Sequence, residues 1–467
     1  MNAPLTANDF YFAILTSKGG KAPDPDGLSI EYYKVAIHAW ARFSNLVIAS
    51  LPANYRPLTL LKLGPKILAY RLRLVLSAII PEDQSGFIQG RSIRHSLLRF
   101  QDLQGFLQGT SYRWLRGDVR FAKAFDSVLW PALNLVLHHF GFESTFRAWI
   151  KTFYHQTSVT IMLNGSPGDP FVLSAGVRQG GPLSPGLFVH FVEPMMSFLR
   201  ARFSDRGISV DGSSAPHLLM ALADDCTGLL KPIDDAPGFL RLVNDYSSAV
   251  GLRLNVSKTS AMSFSHQISR SKLADLRAIS PFKILGVTDT VKLLDILQSA
   301  TITPDTRFRH IILQFRTRCD LWKFWARTLR GKVGLLQSII LPLLWYTASV
   351  TNFTASMLKA VGVIIRNFVN GKDTASESAS PGKFDNDWIY TSINHGGLGL
   401  TPVKKFIQAM HLKSLCDAIS ATCTHCAAPR WMTPALSLFS IALSSQGTGF
   451  DVLYAVVKGT WIHLPDF

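Results

Sequence analysis

Residues Leu218–Leu230 read LLMALADDCTGLL and set two adjacent carboxylates, Asp224 and Asp225, between two apolar runs. Two apolar runs joined by a short polar step are typical of a β-hairpin, so the pattern predicts a hairpin with both acids at its tip. Asp is also common in turns because its side chain hydrogen-bonds nearby backbone, and an ordinary Asp-Asp turn is therefore the alternative. The segment alone leaves both interpretations open.

A second acidic stretch lies upstream of this hairpin. Residues Gly117–Val128 read GDVRFAKAFDSV, the pattern of a strand that passes into a helix. If the two strands are neighbours, their carboxylates can meet. Carboxylate oxygens suit Mg²⁺, and two such ions can stabilise both the attacking and the leaving oxygen of a phosphoryl transfer. The two stretches together predict a paired-metal site.

Eight segments in a fixed order extend this pattern along the chain: Lys21–Leu28 (KAPDPDGL), Asn54–Leu61 (NYRPLTLL), Gln84–Ile93 (QSGFIQGRSI), Phe121–Val128 (FAKAFDSV), Val177–Pro185 (VRQGGPLSP), Ala223–Asp225 (ADD), Gly251–Thr259 (GLRLNVSKT) and Ile284–Val287 (ILGV). In this order they resemble the motifs of the reverse transcriptases of non-LTR (LINE-type) retrotransposons. The resemblance implies an α+β fold with the right-hand architecture of a polymerase and a mostly helical C-terminal extension.

The resemblance also implies a division of the chain into regions. Residues 1–110 would form the fingers and their approach to the palm, 111–265 the palm, 266–370 a thumb-like helical region, and 371–467 a loop and a C-terminal helical extension. Only Trp40–Ala53 stands where the family has a longer strand-bearing stretch. We therefore expect the fingers to be partly deleted and the chain to derive from a truncated or degenerate copy.

The activity that the resemblance implies is RNA-directed DNA polymerisation, in which two Mg²⁺ (or Mn²⁺) ions assist nucleotidyl transfer to a DNA 3′ end. Asp224 would bridge the two metals and Asp225 would support them. Lys258 would protonate the leaving pyrophosphate, although a solvated cation is its ordinary alternative. The implied partners are an RNA template, a DNA primer and deoxynucleoside triphosphates.

Five further residues would contact the nucleotide, the template or their phosphates. Phe125 matches the steric-gate aromatic of the family, Gln179 and Gly180 would pack against the incoming nucleotide and the template, and Arg56 and Arg91 would face phosphates. Ordinary alternatives exist for two of them, because Phe125 suits a core and Arg91 suits a surface ion pair.

The chain departs from the family at the first palm motif. Family members carry the catalytic aspartate six residues before the aspartate that corresponds to Asp126, and Arg120 stands there. One pair of unit charges about 4 Å apart interacts by about 4 kcal/mol at an effective dielectric near 20, and a guanidinium would repel a divalent ion about twice as strongly. Metal binding in the usual geometry should therefore be badly impaired.

Asp118 is a possible substitute metal ligand, since residues two apart on a strand share a face. It would lie about 6.6 Å further back along that strand, whereas catalysis tolerates misplacement of only about 1 Å. Two interpretations stay open: a reverse transcriptase with impaired catalysis, and a catalytically dead remnant that only binds nucleic acid.

Composition agrees with a nucleic-acid partner. The chain has 48 Lys and Arg against 31 Asp and Glu, a net charge of +17, which suits a surface that contacts phosphates. Met1–Asp9 lacks the pattern of a secretory signal, and Val333–Tyr346 is too short for a membrane span, which needs roughly 20 apolar residues. These features predict a nuclear or cytoplasmic protein without a membrane partner.

The five cysteines are scattered and predict no disulfide framework. Cys423 and Cys426 have C-x-x-C spacing, but His411 and Cys416 fall in an apparently helical stretch and no second tight pair follows. Because a zinc site needs four well-placed ligands, we expect no structural zinc.

Local patterns predict several elements: strands at Ser158–Leu163 and Asp169–Leu173, helices at Pro185–Arg202 and Ala236–Val250, a break in a helical run at Gly64–Lys66, and a mostly helical chain from residue 266 onward.

Overall fold

The computed structural model describes residues 47–50, 58–60, 63–108, 115–163, 166–210, 213, 215–231, 235–263, 271, 274, 283–286, 288–299, 302–375, 386–425 and 428–442 of the chain. The chain divides into two compact units. Unit 1 comprises Met1–Ser96, Tyr112–Ser209 and Ala215–Gly286, and unit 2 comprises Leu97–Ser111, Val210–Ser214 and Val287–Phe467. Arg56, the segment Lys21–Leu28 and Cys426 lie outside the described residues.

The strands of the described residues are β1 (Val47–Ser50), β2 (Leu58–Leu60), β3 (Leu115–Val119), β4 (Ser158–Leu163), β5 (Ser166–Pro167), β6 (Phe171–Val172), β7 (Leu219–Leu222), β8 (Asp225–Leu230), β9 (Ser260–Ser263), β10 (Lys283–Leu285), β11 (Val291–Leu293) and β12 (Ile296–Gln298). The helices are α1 (Leu63–Ile79), α2 (Ile93–Gln108), α3 (Trp130–His139), α4 (Ser144–Tyr154), α5 (Ser184–Arg202), α6 (Ala236–Val250), α7 (Pro304–Trp322), α8 (Leu329–Leu335), α9 (Pro342–Ala348), α10 (Ala355–Val369), α11 (Asn386–Tyr390), α12 (Val403–His425) and α13 (Thr433–Ala442).

A five-stranded sheet with the order β10-β9-β3-β8-β7 forms the centre of unit 1. β3 lies in its middle and pairs antiparallel with β8 on one side and β9 on the other. Every residue of β3 is buried. Since charged side chains are buried only when they are paired, the charged residues of this strand must find partners inside the sheet.

Helix α5 supplies much of the core of unit 1. Leu187, Phe188, Phe191 and Met195 are fully buried and belong to one apolar cluster that also contains Val119 of the sheet. Most residues of α5 are buried. This is typical of a helix that lies in the core with apolar side chains on nearly all of its sides.

Several predicted elements are confirmed in unit 1. α6 has the predicted bounds, and Gly251 follows it with a φ of 87°, as a glycine at a helix C-terminus often does. α5 begins one residue before the prediction. β4 has the predicted bounds, whereas its predicted partner Asp169–Leu173 is reduced to β6.

The predicted break at Gly64–Lys66 is wrong, because α1 begins at Leu63 and contains these residues in its first turn. Proline is tolerated there since the first N–H groups of a helix have no intrahelical acceptor.

Unit 2 is mainly helical. One face of α7 buries Phe308, Ile311, Phe315 and Cys319, residues that are three or four apart and so lie on one side of a helix. They pack in a cluster with buried residues of α10 such as Ile364. The mostly helical C-terminal part is therefore confirmed.

Within this mostly helical part of the chain, residues 283–298 form the strands β10, β11 and β12. β11 and β12 are joined by Leu294 and Asp295, whose φ values are 48° and 64°. A two-residue hairpin turn often needs positive φ at both positions, and Asn-Gly or Asp-Gly usually marks it in a sequence. Leu294-Asp295 carries no such signal, so the sequence does not predict this hairpin.

Among the described helices, none has both the length and the apolar character that a bilayer crossing requires. The candidate segment Val333–Tyr346 is divided between α8, a π-helical turn at Leu336–Ile340 and α9.

A glycine pair in the central sheet gives a test of this packing. Gly117 of β3 and Gly228 of β8 are direct partners. A Cβ atom at Gly228 would lie 2.6 Å from Cζ of Phe239, whereas one at Gly117 would meet no atom within 4 Å. Because Phe239 is buried in the core, the added methyl group forces a shift in its packing, and Gly228→Ala should lower the free energy of unfolding by about 1–3 kcal/mol.

Gly117→Ala is the matched control and should change the unfolding free energy by less than about 0.5 kcal/mol. Urea denaturation of both variants measures the difference. Equal stability of the two variants would contradict the described packing of Phe239 on Gly228.

Candidate functional site

The predicted acidic hairpin is confirmed. β7 ends at Leu222, which pairs with Asp225, the first residue of β8. Ala223 and Asp224 form the turn, and Ala223 has a φ of 57° in the left-handed region. Both carboxylates of the pair are partly exposed at the hairpin tip.

Strand register brings Arg120 to this tip. β3 and β8 pair Asp118 with Thr227 and Val119 with Cys226, so the next residue of the first segment, Arg120, falls beside Asp225. Arg120 Nη1 forms an ion pair with Asp225 Oδ1, and the two side chains are 28% and 21% exposed.

The backbone fixes Arg120 from the other side. Its N–H donates to Oγ1 of Thr259 at 3.3 Å, and its carbonyl accepts from the N–H of Asn255 at 2.8 Å. Arg120 is therefore held at the hairpin tip, where its cation faces the carboxylate of Asp225.

Burial raises the pKa of Asp225 to about 6. The positive charge of Arg120 opposes this shift and lowers the pKa, whereas the negative charges of Asp224 and Asp118 add to it. Desolvation thus has a larger effect on the pKa of Asp225 than the ion pair with Arg120 has.

Asp118 is engaged in a buried ion pair of its own. Arg116 Nε donates to Asp118 Oδ1 at 2.8 Å, and Arg116 Nη2 lies 2.5 Å from Asp118 Oδ2. Thr227 Oγ1 also donates to Asp118 Oδ1 at 2.9 Å. Asp118 as a substitute metal ligand stays a prediction, and this pairing weighs against it, because a metal would have to displace Arg116.

The acidic residues present do not fit a pair of divalent ions. Across the described residues, no group of three or more His, Cys, Asp or Glu side chains is arranged to hold a metal. Asp224 and Asp225 supply two adjacent carboxylates at the hairpin tip, and the side chain paired with Asp225 is the guanidinium of Arg120. A cation in the ligand set repels a metal instead of binding it.

Gln84 holds the acidic turn in place through contacts that no motif in the sequence predicts. Its Oε1 accepts from the N–H groups of Gly86 and Ala223, each at 2.8 Å, and its Nε2 donates to the carbonyl of Ala223 at 3.3 Å. Gln84 is buried. We call these three hydrogen bonds the Gln84 clamp.

Gly86 is required beside the clamp. A Cβ atom there would lie 2.5 Å from the backbone N of Ala223, so no larger residue fits without moving the turn. The clamp therefore explains the spacing Q-x-G at the start of the Gln84–Ile93 motif.

Phe125, Gln179 and Gly180 lie in unit 1, and two of them have defined partners. The ring of Phe125 stacks on Phe188 with the ring centroids 4.5 Å apart. Gln179 Nε2 donates to Asp126 Oδ1 at 2.9 Å, which links the two motifs. Gly180 has a φ of 82°, a conformation that favours glycine. Their predicted contacts with nucleotide and template stay predictions.

Arg91 caps a helix end. Its guanidinium donates to four carbonyl groups at the C-terminus of α1 and just beyond it, those of Ser77, Ile80, Pro81 and Gln84. Burial lowers the pKa of Arg91, and nearby acids oppose this shift. Because its donors are engaged with these carbonyl groups, the predicted contact of Arg91 with phosphate stays untested and is not supported by the geometry.

Lys258, which precedes Thr259, is exposed.

The sequence profile described as reverse transcriptase (RNA-dependent DNA polymerase) matches residues 47–289, just over half of the chain. The chain belongs to the reverse transcriptase family. The α+β polymerase fold predicted from the motifs is thereby confirmed, and the retrotransposon relatives confirm the predicted resemblance to non-LTR retrotransposon proteins.

Relatives of this reverse transcriptase-family protein come from transposable elements. It is 24% identical to the transposon TX1 uncharacterized 149 kDa protein of Xenopus laevis, over 94% of this chain and 35% of that protein. It is 26% identical to a Pol polyprotein from the type-1 retrotransposable element R2 of Popillia japonica, over 66% of this chain and 49% of that protein. The chain thus spans about a third to a half of the length of these relatives.

Among solved structures, apo telomerase from Candida tropicalis aligns with 86% of this chain and 73% of its own, at 12% identity and a TM-score of 0.39. A score this low adds nothing to the family assignment.

Removal of the Gln84 clamp should loosen the acidic turn. Gln84→Ala leaves buried backbone groups of Ala223 and Gly86 without their partner, and an unsatisfied buried group costs about 1–3 kcal/mol. We expect a lower unfolding free energy and faster amide hydrogen exchange at Ala223 in Gln84→Ala. Gln179→Ala, which removes one exposed hydrogen bond, is the control and should leave exchange at Ala223 unchanged. Equal exchange in the two variants would show that Gln84 does not hold the turn.

The ion pair predicts the direction in which the pKa of Asp225 changes when Arg120 is replaced. Since Arg120 lowers the pKa of Asp225, Arg120→Gln should raise that pKa above about 6, as measured by carboxyl NMR titration. A folded-state pKa above the ordinary value near 3.8 favours the protonated form, so stability contributed by this group is present at low pH and lost as pH rises through about 6. Arg120→Gln should extend this loss to higher pH. A lower pKa for Asp225 in the variant would contradict the described pairing.

Proposed function

We propose that this protein binds an RNA template and a DNA primer, as its ancestry suggests, but does not catalyse metal-dependent nucleotidyl transfer in its natural form. The observation that carries the proposal is the ion pair between Arg120 and Asp225. Its location, nuclear or cytoplasmic, stays a prediction.

Nucleic-acid binding is supported by family membership and by charge. The excess of Lys and Arg amounts to a net charge of +17, and cations that contact phosphates release counterions and so bind more weakly as salt rises. Binding of this kind needs no metal and is compatible with the ion pair.

The loss of catalysis is supported by the contacts of the acidic residues that could hold a metal. In an intact site, divalent ions would supply charge stabilisation for the attacking and leaving oxygens. The residues of this chain instead neutralise Asp225 with a side-chain cation, and they engage Asp118 with Arg116. Deoxynucleoside triphosphates are therefore expected as ligands of a repaired site only.

Repair of one position tests the proposal. Arg120→Asp removes the cation and adds the missing carboxylate, so it should bind Mn²⁺, measured by electron paramagnetic resonance. It should also extend a DNA primer on an RNA template with Mg²⁺, because the restored carboxylate completes the set of metal ligands. The natural chain should bind the primer-template without extending it.

Two control variants separate charge from ligation. Arg120→Gln removes the cation without adding a ligand and should gain no extension. Arg241→Asp, on the exposed surface of α6, changes the net charge as Arg120→Asp does and should gain neither metal binding nor extension. Extension by the natural chain at the rate of Arg120→Asp would overturn the proposal, and so would absence of Mn²⁺ binding in Arg120→Asp.

A further inference from the structure

Two adjacent aromatic side chains stand out on the surface of unit 2. Phe324 and Trp325 are 79% and 77% exposed, more than any other large apolar side chain in the described part of the chain. They lie in the short connection between α7, which ends at Trp322, and α8, which begins at Leu329. We call these two residues the aromatic platform. Large apolar groups so fully exposed are informative, because monomeric proteins usually cover them.

The platform is held in a defined conformation. The N–H of Trp325 donates to the carbonyl of Trp322 at 3.1 Å, which closes a turn. The rings of Trp322 and Trp325 are 6.1 Å apart. Thr328 then caps α8 by accepting from the N–H of Gly331 at 3.1 Å. Ordered helices on both sides thus fix the connection.

Cations surround the platform. Residues 305–332 contain eight Lys and Arg against two Asp and no Glu, a dense part of the positive charge of the chain. Arg318, Arg327 and Arg330 are exposed, and Lys323 Nζ lies 5.0 Å from the ring centroid of Phe324. The two acids of the segment have partners, because Asp305 pairs with Arg309 and Asp320 accepts from Thr374.

Exposed rings beside exposed cations are the two elements that proteins use for single-stranded nucleic acid, in which bases stack on the rings and phosphates contact the cations. A double helix offers its phosphates but keeps its bases stacked on one another, so it could use the cations and not the rings. An apolar protein partner could use the rings but would bury this charge without compensation.

We propose that the aromatic platform, with Arg318, Lys323, Arg327 and Arg330, binds single-stranded nucleic acid by base stacking and phosphate contacts. This inference deepens the nucleic-acid binding proposed above and rests on it, but it concerns a different surface from the acidic hairpin. It specifies that a single strand, and not only a primer-template duplex, is a ligand of this chain.

The stacking step is tested with variants that keep apolar volume and remove the aromatic ring. The double variant Phe324→Leu, Trp325→Leu should bind a fluorescein-labelled oligouridine of roughly 20 nucleotides about tenfold or more weakly than the natural chain, as measured by fluorescence anisotropy at constant salt. Its affinity for an RNA·DNA hybrid of the same length should stay within about twofold. Trp325→Phe retains a ring and should restore most of the lost affinity in the presence of Phe324.

The phosphate contacts are tested separately by salt dependence. Each of Arg327→Gln and Arg330→Gln should reduce the slope of log affinity against log salt for oligouridine by about 0.7, the value for one phosphate contact on a single strand. Phe198→Leu, a change at an exposed ring of α5 in unit 1, is the control and should alter neither affinity nor slope.

Unchanged oligouridine binding in the double leucine variant, with hybrid binding intact, would overturn the inference while the proposed function stands. Absence of binding by the natural chain to both oligouridine and hybrid at physiological salt would overturn both.

Discussion

The pairing register of β3 with β8 is the constraint on which the functional interpretation depends. It pairs Val119 with Cys226 and therefore carries Arg120 to the carboxylate of Asp225. A shift of the register by one residue would turn every side chain of β3 to the opposite face of the sheet, and the ion pair could not form. Strand pairing thus selects residue 120 as the neighbour of Asp225, and the arginine at that position supplies a cation instead of a carboxylate.

The ion pair has a simple electrostatic rationale. Carboxylates gathered at one point repel each other and raise each other's pKa unless a positive charge lies among them. A metal ion supplies that charge in a working site, whereas Arg120 supplies it here from within the chain. The fold of the hairpin can therefore persist with the Gln84 clamp intact although the ligand set has changed.

The sequence predicted the parts of the fold that rest on local patterns. The acidic hairpin, β4 and α6 follow from alternation, helical period and a C-terminal glycine, and the structure confirms them. The hairpin of β11 and β12 could not be predicted, because Leu294 and Asp295 adopt positive φ without a glycine. At the site, the motifs located Asp224 and Arg120, but the role of Gln84 depends on a contact across 139 residues of sequence, which no local pattern shows.

A double-mutant cycle on Arg120 and Asp225 tests the central claim most directly. The unfolding free energies of the natural chain, Arg120→Ala, Asp225→Ala and the double variant give the interaction energy of the pair at pH 8, where Asp225 is ionised. A pair in direct contact should show a favourable coupling of about 0.5–3 kcal/mol, and the coupling should vanish below pH 4 as the carboxyl group is protonated. Additive effects of the two substitutions at pH 8 would contradict the account.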